Sequence, residues 1–416
     1  MNEVELHNFL CSFSLEDNLT LLDQGSSQTV LEEYSLDSQV VNLYINEFWT
    51  AGQRKASSIH EISYRACFKA QLPGFFIKLL TKEGDIVYDP FMGRGTTLIE
   101  AALLGRNVAG NDVNPLSKIL TQPRLNPPSY REVKERLESV PFDKSAGAEI
   151  DLTMFYHPET EAEIVSLKDY LQQRHEKGTA DNVDDWIRMV ATNRLTGHSP
   201  GFFSVYTLPP NQAVSPGRQV EINKKRGQEP PYRNVKELIL KKTRQLLAGL
   251  SSTDMDTIKQ VGSKALLMDR DARQTYPVES GSVQLTVTSP PFLDIVQYSK
   301  DNWLRCWFNN IDAERVEEYI TTAGSLKKWS AVMGQVFQEL YRITSEGGWV
   351  AFEVGEVRKG KVKLEEEIIP LGIGAGFKCL GVLVNKQSFT KTSNIWGVSN
   401  NTAGTNTNRI VLFKKT

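Results

Sequence analysis

Long apolar runs are missing from this chain of 416 residues. No stretch reaches the run of about 18 apolar residues that a membrane-crossing helix needs. The start, Met1-Asn2-Glu3-Val4-Glu5, is acidic and lacks the apolar core of a secretory signal. Cysteine is scarce: four residues, at positions 11, 67, 306 and 379, with no CxxC pair. That spacing suggests no disulfide framework, zinc ribbon or redox motif. The expectation is a reducing, cytoplasmic setting, with no membrane contact and no metal site. An excess of one charge is lacking too. The 48 Lys and Arg nearly balance 50 Asp and Glu, a formal net charge of −2, so any nucleic-acid surface must be local. No internal repeat or long low-complexity tract is found, and the sequence carries no signal for an oligomeric state.

One stretch organises what is present: Val87-Tyr88-Asp89-Pro90-Phe91-Met92-Gly93-Arg94-Gly95-Thr96-Thr97. A short apolar run, Gly84 to Tyr88, reads as a buried strand before it. Leu98 to Leu104 reads as a helix ending at Gly105. Strand, glycine turn and helix open a nucleotide-binding α/β unit. Gly93 and Gly95 permit positive φ and allow a ligand close to the backbone. Thr96 and Thr97 fall where the new helix has free N–H groups. A second strand, Asn107 to Gly110, leads to Asp112, about 20 positions after the turn, where an acidic residue holds a ribose diol. The turn is neither GxGxxG nor a Walker motif, since no Lys follows its second Gly. A second motif, Thr288-Ser289-Pro290-Pro291-Phe292, follows a strand-like run, Val283 to Val287.

Asp-Pro-Phe-x-Gly-x-Gly-Thr followed far downstream by Ser-Pro-Pro-Phe resembles the S-adenosylmethionine-dependent DNA amino-methyltransferases, and the Ser form looks like their cytosine-N4 branch. The resemblance covers roughly 60–125 and 260–416. It implies a doubly wound, seven-stranded Rossmann-like α/β sheet with S-adenosylmethionine as cofactor. The cofactor residues it implies are Asp89, Pro90, Phe91, Gly93, Gly95, Thr96, Thr97, Asp112 and Asn114. An acidic residue after the strand Ala265 to Met268 meets the adenine amino group in this family, and Asp271-Ala272 is the better match. A segment such as 58–80 closes over the amino-acid end of the cofactor.

The chemistry expected at the second motif follows from the target. An exocyclic amino group is a weak nucleophile because its lone pair is delocalised into the ring. Acceptors for its hydrogens, here the Ser289 oxygen and the Pro290 carbonyl, free that lone pair. Pro290 and Pro291 lack N–H groups and hold the loop rigid. Phe292 is placed to stack on a base swung out of the duplex. The sulfonium methyl then transfers in line, with no covalent enzyme intermediate. The resemblance implies double-stranded DNA as partner, in restriction–modification or phage defence beside a separately acting restriction endonuclease. Adenine-N6 methylation is the alternative. RNA methylation and an inactive DNA-binding regulator are less favoured. Cytosine-C5 chemistry is disfavoured, because no Pro-Cys step exists.

The domain expectation is an N-terminal helical arm over 1–57, a catalytic domain over 58–120 and 261–416, and a helical insertion over 121–260 that recognises the target. In the arm, 30–34 and 40–45 read as two short helices. The insertion is too long for a simple crossover. It contains an aromatic, Pro-bounded loop, His198 to Gln212, and a basic run over 218–244. Within that run Lys224, Lys225, Arg226 and Arg233 are the expected phosphate contacts.

Overall fold

The structure is a computed structural model that describes residues 1–15, 28–36, 39–50, 56–64, 67–209, 213–291, 298–320, 325–354, 356–357, 362–386 and 407–416. The strands are β1 (Val30–Leu36), β2 (Gln39–Asn46), β3 (Ile86–Asp89), β4 (Asn107–Asn111), β5 (Leu266–Met268), β6 (Val283–Thr288), β7 (Thr344–Val354), β8 (Glu356–Val357), β9 (Val362–Lys363), β10 (Lys378–Lys386) and β11 (Thr407–Lys414). Nine of them form one sheet in the order β1-β2-β10-β11-β7-β6-β3-β4-β5, while β8 and β9 pair only with each other. The run β5-β4-β3-β6-β7 is parallel. β11 lies antiparallel between β7 and β10. The sheet thus has nine strands where seven were expected: these seven and two more.

The remaining two correct the reading of 30–34 and 40–45 as helices. β1 and β2 form an antiparallel hairpin, and β2 extends the sheet by pairing parallel to β10, Leu43 with Val382 through Asn46 with Asn385. Val40, Val41, Tyr44 and Ile45 suit a pleated, half-buried surface. The buried Asn385 ties the arm down, accepting from Phe48 N at 2.7 Å and Trp49 N at 3.2 Å. In the arm, α1 (Glu3–Cys11) is the one described α-helix.

The other helices are α2 (Gln71–Leu80), α3 (Thr96–Leu103), α4 (Pro115–Leu125), α5 (Tyr130–Ser139), α6 (Pro158–Glu176), α7 (Asn182–Arg194), α8 (Pro216–Arg226), α9 (Val235–Leu247), α10 (Ser252–Gly262), α11 (Tyr298–Phe308), α12 (Ala313–Tyr319), α13 (Leu326–Ile343) and α14 (Leu364–Gly374). Strand alternation sorts the central side chains onto two faces. Val87, Leu285 and Ala351 meet α1, α2, α3 and α10 through Leu10, Phe76, Ile99 and Ile258. Tyr88, Val350 and Phe352 meet α13 and α14 through Trp329, Phe337 and Ile368. The result is a three-layer α/β/α arrangement.

Helices α5 to α9 build a third core around Trp186, Phe155 and Leu167. It also takes in Ile62, Leu120 of α4, and Leu304 and Phe308 of α11. The insertion therefore shares its core with the helix that follows the Ser-Pro-Pro motif. The loop from His198 is irregular, as expected, but it faces inward: Phe203 is 0% exposed and Phe202 8%. Its far end is bonded to α11, with Ala213 N donating to Asp301 O at 3.2 Å and the Trp303 indole to Val214 O at 3.1 Å.

Candidate cofactor and active site

Parallel strands deliver their carboxyl ends to one edge of the sheet. β3 has β4 on one side and β6 on the other, so the strand order reverses there and a crevice opens at the carboxyl ends. The residues following β3, β4, β5 and β6 are the two motifs and the two acidic positions picked from the sequence.

The glycine turn is held from within. Asp112, just past β4, accepts from Gly93 N at 2.8 Å and from Asn114 N at 2.9 Å. The Asn114 side chain caps α4 by accepting from Leu116 N at 2.9 Å, and its amide donates to the Tyr64 hydroxyl at 2.6 Å. Burial pushes the Asp112 carboxyl up, against the pull of the two N–H groups. Asn111 knits the next loop on, donating to Arg270 O at 2.9 Å and accepting from Arg270 N at 3.1 Å.

The two glycines do different work. Gly93 has φ +49°, and a Cβ there would meet nothing nearer than 3.8 Å. Its side is a small cradle lined by Cys67 Sγ, Phe91 O and the Tyr64 ring. Gly95 has φ +74°, and a Cβ there would lie 2.4 Å from Thr121 Oγ1 and 2.5 Å from Thr121 Cγ2. Gly95 thus serves the packing of α4 against the turn, which corrects the view that both glycines admit a ligand. Asp89 is likewise turned inward. It is 1% exposed and accepts at one oxygen from Thr288 Oγ1 at 2.7 Å and Phe91 N at 3.1 Å. Thr97, also buried, donates to Val287 O at 3.1 Å. Asp89 and Thr97 therefore lock the glycine turn to β6, the strand that carries the second motif. Burial pushes the Asp89 carboxyl up to about 7. Pro90 and Thr96 are buried and Phe91 is half-buried. Thr96 Oγ1 accepts from Arg94 Nε at 3.1 Å.

Asp271 lies after β5 as expected, but its carboxylate is engaged by Arg273, at 2.9 and 3.0 Å from Nε and 2.5 Å from Nη2. That pairing holds its carboxyl below the usual range. Ala272 beside it is half-buried against the sheet core.

At the second motif Ser289 is half-buried, Pro290 buried and Pro291 exposed. Phe292 lies outside the described residues. The Pro291 carbonyl accepts from the Trp329 indole of α13 at 2.9 Å, so the loop is pinned from behind as well as stiffened by proline. Glu353 was missed altogether. It stands near the end of β7, beside β6, is 9% exposed, and accepts hydrogen bonds from Ser289 and from the Asn408 amide. Burial pushes its carboxyl up to about 7. The available signal was a single acidic residue inside an otherwise apolar strand, Trp349-Val350-Ala351-Phe352-Glu353-Val354. Isolated charges there are costly and point to a role.

The basic run divides. Lys224, Lys225 and Arg226 are exposed on the last turn of α8, where cations also complement the helix dipole. Arg226 stacks on Tyr206 at 3.9 Å. Arg233 is half-buried, with its backbone tied to Thr160. Lys242 is 6% exposed, 3.7 Å from Glu61, and burial lowers it to about 8. The run is therefore not one solvated face. Among the described residues no group of three His, Cys, Asp or Glu could hold a metal, and no helix is long and apolar enough to cross a membrane.

The donor set suits S-adenosylmethionine. Asp112 keeps acceptor capacity for hydroxyl groups beyond its two N–H partners, and Gly93 leaves room for close approach. Comparison with known proteins agrees. Residues 22–120 match the family described as DNA methylase, spanning N6 and N4 amino-methyltransferases. The Type II methyltransferase M.BsoBI of Geobacillus stearothermophilus is 25% identical over 289 residues, 64% of this chain and 55% of that protein. M.MjaII of Methanocaldococcus jannaschii is 33% identical over 86 residues, 20% of this chain and 16% of that one. A tRNA (guanine(10)-N2)-dimethyltransferase of the same organism is 29% identical over 143 residues, 30% of this chain and 39% of its own. The chain thus spans between 16% and 55% of the length of these relatives. The matched segment holds the glycine turn, Asp112 and Asn114; over it the chain is similar to the DNA amino-methyltransferases, a likeness that supports S-adenosylmethionine as cofactor and leaves the branch, N4 or N6, unassigned.

Proposed function

We propose that this protein methylates the exocyclic N4 amino group of cytosine in a specific duplex DNA sequence, in the cytoplasm, as part of restriction–modification or phage defence. The observation that carries the reading is Ser289 at the carboxyl end of β6, hydrogen-bonded to the buried Glu353. A serine donating to a carboxylate presents its own lone pairs outward. The target's amino hydrogens can then bond to Ser289 and to the Pro290 carbonyl, and the nitrogen lone pair is released for attack. Phe292 stacks on the extruded base. Bound S-adenosylmethionine supplies an activated methyl group on a sulfonium. Asp112 and the Gly93 cradle hold it in line. Once nitrogen carries the methyl group, its surplus proton passes to Ser289, whose own proton moves to Glu353. Asp89, Thr97 and Thr288 fix the distance between the two motifs. Asp271 reaches the adenine amino group with an oxygen released by Arg273.

Mass spectrometry of nucleosides from the DNA of a host expressing the protein tests this reading. 4-Methylcytosine supports it, and 6-methyladenine moves the target to adenine. A second reading, RNA amino methylation, is favoured by the tRNA guanine-N2 relative. Methylated guanosine in RNA with unmodified DNA would establish it. No modification in either nucleic acid, with cofactor still bound, would leave a DNA-binding regulator.

The insertion over 121–260 is the proposed target-recognition subdomain, with Lys224, Lys225, Arg226 and Arg233 at phosphates. Neutralising Lys224, Lys225 and Arg226 together is expected to weaken DNA binding for all sequences. The salt slope should flatten by up to about three units if all three contact phosphate. Filter binding across salt concentrations measures this, and an unchanged slope would make the α8 terminus a solvated face only.

A further inference from the structure

The described residues of the segment from Ile59 to Phe68 carry no regular secondary structure beyond a short 3-10 turn, so their backbone groups need partners from elsewhere. They come from separate parts of the molecule. Arg94, inside the glycine turn, donates to Ile62 O at 2.7 Å and Phe68 O at 3.3 Å. Arg124 of α4 is fully buried and donates to Ile59 O at 3.3 Å and to the Arg94 carbonyl. Asn193, on α7 of the insertion, holds both groups of Ser63: its oxygen accepts from Ser63 N at 3.2 Å and its amide donates to Ser63 O at 2.8 Å. Arg194 Nη2 donates to the same Asn193 oxygen at 2.9 Å, which fixes the orientation of the amide. Asn193 is 3% exposed.

The next residue faces the cofactor turn. The Tyr64 ring edge lies 4.0 Å from where a Cβ on Gly93 would sit, and its hydroxyl accepts from Asn114. Asn114 N in turn bonds Asp112, which holds Gly93 N. A continuous set of contacts thus runs from α7 through Ser63 and Tyr64 to Gly93.

We propose that Asn193 is a positioning residue for the cofactor, through which the insertion forms part of the cofactor site: by clamping Ser63 it sets Tyr64 against Gly93 and Asn114. This rests on the assignment of S-adenosylmethionine to the glycine turn. Arrangement of the insertion and occupancy of the turn are then linked, and the linkage is reciprocal.

Calorimetry of S-adenosylhomocysteine binding to the full chain tests the proposal. Asn193→Ala is expected to weaken binding about tenfold. Asn193→Asp keeps an acceptor for Ser63 N but has no donor for Ser63 O, and should fall between. Met189→Ala, on the same helix and buried in the insertion core but with no side-chain group that could hydrogen-bond Ser63 as Asn193 does, controls for loosening of α7 and should stay within about twofold. Folded Asn193→Ala protein with wild-type affinity would overturn the proposal, as would an equal loss in Met189→Ala. Should Asn193→Ala not fold, amide exchange in the wild type decides: ligand is expected to slow exchange of Ser63 N–H, and no slowing overturns the proposal. A wild-type protein that binds no S-adenosylhomocysteine would instead refute the cofactor assignment itself, and the proposal with it.

Discussion

Glu353→Gln is expected to slow methyl transfer by about a hundredfold or more, the range in which removal of an acid–base group acts. Glutamine keeps the shape, and its oxygen still accepts from Ser289, but it cannot take the proton that the methylated nitrogen releases. Cofactor affinity should stay within about twofold, because Glu353 touches Ser289 and Asn408 and not the glycine turn. The pH profile adds a second readout. Burial raises the Glu353 carboxyl to about 7, so the base form appears as pH climbs through about 7 and the single-turnover rate should rise there. The variant should lose that rise. Single-turnover kinetics on duplex DNA between pH 5.5 and 9, roughly two units about that midpoint, measure both. A variant with wild-type rate and profile would remove Glu353 from the chemistry. Stability runs the other way. Asp89 and Glu353 are both raised to about 7, above their ordinary values. Their stabilising contribution is full below the unfolded values and is lost as pH rises through about 7. Activity and stability should therefore diverge above neutral pH.

The second large effect is expected at Gly95, and it is a stability effect. Any side chain there must adopt φ +74° and meet Thr121 at 2.4 Å. Left-handed backbone costs about 1–2 kcal/mol and overpacking typically about 1–3 kcal/mol more. Gly95→Val should therefore lose roughly 2–5 kcal/mol in a urea titration, by that same sum. Gly93→Ala should behave differently. Its Cβ meets no neighbour nearer than 3.8 Å, so stability falls only by the backbone cost. The new methyl nonetheless enters the cradle, and calorimetry should show cofactor binding weakened at least tenfold, about 1.4 kcal/mol. If Gly95→Val were as stable as wild type and Gly93→Ala bound cofactor normally, the division of labour between the two glycines would be wrong.

Several elements are legible in the sequence because their signals are local. The starts of α5 at Ser129 and α6 at Pro158 rest on a side chain within three residues of the group it caps and on proline at the first helical position. The buried strands β3, β4 and β6 announce themselves as short apolar runs bounded by turn residues. The order of the two motifs places both at the carboxyl edge. By contrast, 30–34 and 40–45 are short runs whose periodicity does not separate helix from strand, and the deciding partner is β10. Lys242 looked like its charged neighbours but falls on the face of α9 that packs inward.

The sequence by itself determined the parallel α/β core, the glycine turn with Asp112, and the Ser-Pro-Pro motif, because each depends on residue types at short spacing. Tertiary structure alone decided which groups meet. It turned Asp89 inward onto Thr288, set Gly95 against Thr121, brought Glu353 to Ser289 and carried Asn193 to Ser63. Each of these pairs joins separate elements. Burial and hydrogen bonding between such groups are set by how layers pack, and no short-range pattern encodes them.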